Sequence, residues 1–341
     1  MMRDKTRNPK SGIWNLQSGM DRRSFLRAGI VAATALGTRP ARGQQAKSRV
    51  VAASSSKLFA EGNALREPVV QELVNGAICA LAGEKDPTEA WRQFVKPGDV
   101  VGIKVNCLAG ARLSTRIEVV RAIARSLHRL GVRPNRIFVW DRKRDDLVRA
   151  RYPLEDASAF TFVGNDDRTL GFGPPIIMMG EIGSFFSRLV TDACSVLINV
   201  PVLKDHDLAG VSLSLKSAFG AIHNPNKYHF GNLQQAIVDV NRVPDLRRKT
   251  VLHLCDATFG CYHGGPTPAP KWVERLGTVY ASRDPVALDF SLWQRMEELR
   301  KAAGLPSLVG SKREPKHIAL AAEHRLGTND PDRIEILKLE V

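Results

Sequence analysis

Short runs of β-branched and aliphatic residues recur through the chain, separated by longer stretches with helical spacing. This alternation is the strongest constraint on the fold, because it is the signature of βα units laid on a mostly parallel sheet. The clearest strands are Arg49 to Ala53, Val100 to Val105, Ile137 to Trp140, Ser195 to Val200 and Val251 to Leu254. Several are continuously apolar, as strands covered on both faces should be. The sequence therefore predicts an α/β fold: a mostly parallel sheet with helices on both faces, in three layers. Ile334 to Val341 alternates and reads as a last strand.

Helix punctuation supports this order. Thr115 followed by Glu118 reads as a capping box for a helix reaching Leu130, which Gly131 stops. Asp284 and Pro285 open a second helix over Val286 to Ala303. Residues 164–180, rich in Gly, Asp and Pro, read as an irregular excursion in which Ile176 to Met179 is a short edge strand. Residues 201–231 lack a clean period over their first half and concentrate lysine and histidine directly after a buried strand, where open α/β sheets bind ligands.

The N-terminus reads as a twin-arginine signal peptide over residues 21–43. Arg22 and Arg23 precede Ser24, Phe25, Leu26 and Arg27, and the apolar run from Ala28 to Gly37 is half of what a membrane span needs. Ala41 and Gly43 place cleavage after Gly43, and either Met1 or Met20 serves as the start. The expected cargo is a single α/β domain over residues 44–341, carried by the twin-arginine machinery to a periplasmic or extracytoplasmic location. No later stretch reaches spanning length. Nine of the 50 Lys and Arg but two of the 35 Asp and Glu fall in residues 1–46, so the remainder carries +8 of the formal +15. That charge suits anionic ligands. With sparse aromatics and no basic stripe it argues against nucleic acid.

Five cysteines, Cys79, Cys107, Cys194, Cys255 and Cys261, make no two-residue-spaced pair, so an iron–sulfur ferredoxin module is not expected. Buried free thiols are favoured over a disulfide, for which Cys255 and Cys261 are the nearest pair.

After Val200 the chain reads Pro201, Val202, Leu203, Lys204, Asp205, His206, then Leu208 through Leu215, Lys216, Ser217, Ala218, Phe219 and Gly220. This resembles the signature of the domain of unknown function 362 family: a Pro, a Lys, a His two residues on, and a Gly, Ser and Leu segment ending in Lys and Phe-Gly. Val101 to Asn106, Lys227 to His229, Cys255 with Asp256 leading to Gly264, Gly265 and Pro266, and Ser282 to Asp289 extend the resemblance over about residues 50–300. Asp205 and Ser217 stand where the family commonly has Thr and Asn. Many members carry a cysteine-rich ferredoxin segment, and this chain has no counterpart of it.

The chemistry-bearing candidates follow. Lys204, His206, Lys216 and His229 are the expected catalytic group: lysines suit an anion, and when desolvated can act as a base or an imine-forming nucleophile. His206, His229 and His263, with Asp205, Asp207 and Asp256 nearby, are the candidates for a divalent metal, although His223 and His229 are spaced for no standard zinc motif. Asn106 at a strand end, Asp256, and Gly264 and Gly265 in an expected flexible loop over Asp256 to Pro266 are cofactor-binding candidates. Cys107 and Asp141 are further strand-end residues. Two readings stay open: an enzyme with a Lys/His pocket for an anionic substrate or cofactor, redox or metal-assisted, and a non-catalytic anion-binding or assembly protein of the cell envelope.

Overall fold

A computed structural model describes residues 47–167, 170–267 and 269–341. The twin-arginine segment lies outside the described residues. Residues 46–341 form one compact unit. Its strands are β1 (Ser48–Ser54), β2 (Val101–Val105), β3 (Ile137–Asp141), β4 (Thr161–Gly164), β5 (Phe172–Met179), β6 (Ile182–Ser187), β7 (Val196–Val200), β8 (Val202–His206), β9 (Gly210–Ser212), β10 (Thr250–Cys261), β11 (Val273–Ser282) and β12 (Ile334–Glu340). The helices are α1 (Glu67–Ala82), α2 (Pro87–Arg92), α3 (Ile117–Leu130), α4 (Arg144–Arg149), α5 (Ser214–Ser217), α6 (Leu233–Arg242), α7 (Pro244–Lys249), α8 (Pro285–Ala302) and α9 (His317–Glu323).

The main sheet runs β12-β1-β11-β10-β7-β2-β3-β4, with β8 against β10 and β9 against β8. Along its main path it is parallel except at β11, which pairs antiparallel with both β1 and β10. From β2 the chain moves outward through β3 and β4, then returns to the other side of β2 as β7 and moves outward again to β10. The reversal between β2 and β7 is a topological switch point, whose strand ends open a crevice.

Side-chain alternation sorts the two faces. Val101, Ile103 and Val105 of β2, Ile198 and Val200 of β7, and Leu252 and Leu254 of β10 pack with Leu73, Ile78 and Trp91 of α1 and α2 and with Ile123 of α3. Leu197, Cys255 and Ala257 face the other way, into a second core with Leu215 of α5, Ile237 of α6, Leu292 of α8 and Ile318 of α9. Helices thus cover both faces, and the expected three-layer α/β architecture is present.

Several local readings change. The capping box at Thr115 does not form: α3 starts after Arg116, and the Thr115 hydroxyl instead donates to the Val200 carbonyl and accepts from the Asn106 amide, stitching the switch point. The excursion at 164–180 becomes a separate hairpin, β5 with β6. The expected flexible loop over Asp256 to Pro266 is strand as far as Cys261, because β10 stays paired with β11 through an irregularity between Ala257 and Phe259. Its five cysteines are free.

α8 keeps its predicted start. Asp284 Oδ1 accepts from the amides of Val286 and Ala287, both at 2.9 Å, while Oδ2 takes the Ser48 hydroxyl at 2.6 Å and the Thr328 amide at 3.0 Å. One carboxylate therefore ties α8 to β1 and to the C-terminal segment. Asp284→Ala is expected to cost about 1–3 kcal/mol, combining a lost N-cap with orphaned donors. Urea unfolding should show a lower midpoint at unchanged slope.

Candidate functional site

A cavity of about 410 Å³ opens at the switch point. It is lined from β2 and its end by Lys104 and Asn106, from the end of β3 by Asp141 and Arg142, from β8 by His206, and from the segment after β9 by Lys216, Ser217, Phe219 and His229. Leu108, Leu208 and Phe230 form an exposed apolar rim, with Phe230 93% exposed.

Asp141 organises the floor. Its Oδ1 pairs with Lys104 Nζ at 2.8 Å and accepts the Arg142 amide at 2.7 Å, and its Oδ2 accepts the Cys107 amide at 2.7 Å. Gly220 passes directly over Lys104, where a Cβ would collide with Cε. Lys104 therefore has a carboxylate. The next two lysines do not.

Lys204 is fully buried in β8 and donates to Asn106 Oδ1 at 2.9 Å. Burial pulls its pKa down to about 8, although Asp141 opposes the shift. It lies under the cavity and reaches it through Asn106. Lys216, 8% exposed, lies on α5 with Nζ 3.3 Å from His229 Nε2 and 4.0 Å from the centre of the Phe219 ring. Burial first, then the charge of Lys204, pull its pKa down to about 7, with Arg142 adding to the fall and Asp207 opposing it. Neither lysine makes an ion pair among the described residues.

α5 is held by another buried carboxylate. Asp289 of α8 accepts the amides of Ser214 at 2.8 Å and Leu215 at 2.9 Å. Burial pushes its carboxyl up to about 7 against the pull of those two donors. The position of Lys216 thus depends on a residue 73 positions away in sequence.

The histidine tautomers follow from their partners. His229 Nδ1 lies 3.0 Å from the Pro225 carbonyl, which only accepts, so Nδ1 carries the proton and Nε2 turns a lone pair toward Lys216. His206 Nδ1 receives the Leu208 and Ala209 amides, leaving its proton on Nε2. Asp207 Oδ1 is 2.9 Å from that Nδ1, an ion pair only if the ring is protonated. Burial and the nearby Lys216 hold the His206 pKa far below its usual value, so the amide contacts decide and the ring is neutral. Burial and Lys216 also lower His229. The two rings stack at 5.8 Å.

Four expected site residues, Asn106, His206, Lys216 and His229, meet in one cavity, with Lys204 beneath it. The rest do not join them. His263 packs edge-on against Trp272 with Nδ1 3.4 Å from Arg300 Nη1. The expected three-histidine metal set is therefore not assembled, and among the described residues no three His, Cys, Asp or Glu side chains are grouped to hold a metal ion. Asp256 is buried and spent on the amides of Arg116 and Thr258 and the Thr258 hydroxyl. Gly265 serves the fold, its amide bound to Asp205 Oδ1 where any Cβ would meet the Asp205 backbone. Gly264 takes φ +75 in the same turn and lines no part of this cavity. Burial drives the Cys107 thiol well above its usual pKa, away from nucleophilic use.

Residues 201–231, where the sequence shows no clean period, contain the strands β8 and β9. Lys204, Asp205 and His206 are all buried in β8 because each finds a partner: Lys204 has Asn106 and Asp205 has Gly265 with Arg313, all remote in sequence, while His206 has the nearby Leu208 and Ala209 amides. Lys104 and Arg142 were missed, Lys104 because one lysine in an apolar strand carries no periodic signal. Its strand pairing with Trp140 and Asn199 puts it on the face of the second core, with Trp140.

Stability carries a mark of this site. Between about pH 7 and about pH 10.5 the unfolded chain binds a proton at Lys216 that the folded chain does not, so stability rises with pH across that window. Lys216→Met is expected to be at least as stable as wild type near pH 7 and to show a shallower rise. Thermal midpoints at several pH values check this, and an unchanged slope would contradict it.

A sequence profile described as "Domain of unknown function (DUF362)" matches residues 101–294. A thylakoid-associated protein of Synechocystis sp. is 27% identical over 271 residues, covering 72% of this chain and 73% of the relative. The matched span runs from β2 into α8 and contains every cavity residue described above, and the chain belongs to the DUF362 family.

Proposed function

We propose that the chain is an exported protein that binds a small anionic ligand in the switch-point cavity and shuttles a proton between Lys216 and His229 while the ligand is held. The observation that carries this reading is the burial of Lys204 and Lys216 without a carboxylate. A buried ammonium with no counter-ion must give up its proton or acquire an anion. Lys216 and the half-buried Arg142 line the cavity and offer that anion two donors of different kind. The apolar rim receives the less polar end of the ligand. The Lys216 Nζ to His229 Nε2 contact at 3.3 Å gives the proton a direct path from a lysine whose pKa lies near 7 to a ring lone pair.

Calorimetry with oxalate or inorganic phosphate tests the binding. Because the protonated lysine is the binding form, affinity should fall as pH rises through about 7, by up to about tenfold per pH unit. Lys216→Met should lose both affinity and slope. Absence of binding by both anions at pH 6 and pH 8 would sink the reading.

Export rests on the twin arginines Arg22 and Arg23 and the short apolar run after them. The relative's thylakoid association is in keeping with work at a membrane. Replacing both arginines by lysine should hold the precursor in the cytoplasmic fraction, read by fractionation in a host with the twin-arginine machinery. Unchanged export would overturn the route.

A further inference from the structure

We propose that Lys216 is a nucleophile that condenses with the carbonyl of a small anionic aldehyde or ketone, 2-oxo acids being the class that fits, to form an imine. The proposal rests on the anion-binding reading of the same cavity and names its substrate.

Imine formation needs an unprotonated amine facing a water-poor cavity, a base beside it, and a group that seats the substrate's charge. Lys216 Nζ faces the cavity from α5, and no carboxylate holds its proton in place. The atom beside it is the His229 Nε2 lone pair at 3.3 Å, in a ring whose tautomer the Pro225 carbonyl sets. Arg142 lines the same cavity, its charge is near enough to lower the Lys216 pKa, and its guanidinium makes no ion pair or side-chain hydrogen bond among the described residues, leaving its fork for a carboxylate. A 2-oxo acid carries the carboxylate and the carbonyl carbon on adjacent atoms, one for Arg142 and one for Lys216, and a cavity of about 410 Å³ has room for it. The pKa of Lys216 near 7 supplies free amine at neutral pH.

The step balances without any further reagent. The Nζ lone pair forms the N–C bond while the carbonyl oxygen becomes the carbinolamine hydroxyl, one Nζ proton passing through His229 Nε2. The second Nζ proton then passes through His229 Nε2 to that hydroxyl as the C–O bond breaks and the nitrogen lone pair forms C=N, giving the neutral imine and one water.

Borohydride trapping on the full chain tests this, using pyruvate and glyoxylate as probes and peptide mapping to find the modified lysine. The hydride reduces the C=N bond to a stable secondary amine. The expected result is a single adduct on Lys216, forming faster as pH rises through about 7, the opposite sense to oxalate binding. His229→Gln should slow trapping on the order of 100-fold, and Lys216→Arg should abolish it. Mapping and the pH profile use wild type, so a variant that folds poorly does not blunt the test. Adduct spread over exposed lysines, equal in wild type and Lys216→Arg, overturns the proposal. If trapping fails while oxalate still binds, the imine is wrong and the anion pocket stands. If both fail, both are wrong.

Discussion

One carboxylate, Asp141, holds the switch point in the geometry on which the site depends. It closes the end of β3 onto the end of β2 through Lys104 and the Cys107 amide, and it turns the chain at Arg142. Removing one partner from such a buried pair leaves the other charge unsolvated, a loss of about 3–5 kcal/mol. Neutralising Lys104 also sets the electrostatics above it. With that lysine paired, the unpaired positive charge of the floor belongs to Lys204 and Lys216, the groups whose pKa values burial drives down furthest among the lysines.

The same logic recurs at Asp289 and Asp205. Asp289 fixes the first turn of α5 and thereby Lys216, while Asp205 gathers the Gly265 amide and Arg313 beneath β8. Asp141, Asp289 and Asp205 all serve the scaffold, and none is an ion-pair partner of Lys204 or Lys216. The cavity is thus left with a cationic floor and an apolar rim, a combination that suits a ligand whose charge and less polar part lie at opposite ends. The neutral histidine pair adds hydrogen-bonding capacity without adding charge, because burial first, and then Lys216, raise the cost of protonating either ring.

The basicity of the first 46 residues accounts for nearly half of the formal charge, and the remainder is only moderately basic. Burial makes each unpaired charge of the cavity count for more than it would in water.

The sequence by itself determined the layers and most of the strand cores. Apolar runs such as Val101 to Val105 and Val196 to Val200 are local patterns, and a strand covered on both faces needs nothing else to be recognised. It also determined the start of α8, since Asp284 caps amides two and three residues away. The Lys204 to His229 segment was legible as chemistry but not as structure. Only the tertiary fold decided that Lys204 and His206 lie in a buried strand, that Asp256 and Gly265 serve the scaffold, that His263 stands apart, and that Lys104, Asp141 and Arg142 complete the floor. The physical reason is the same in each case. A buried polar side chain is placed by its partner, and Asp141, Asp289 and Asn106 lie between 37 and 98 residues from the groups they position, beyond the reach of any local pattern.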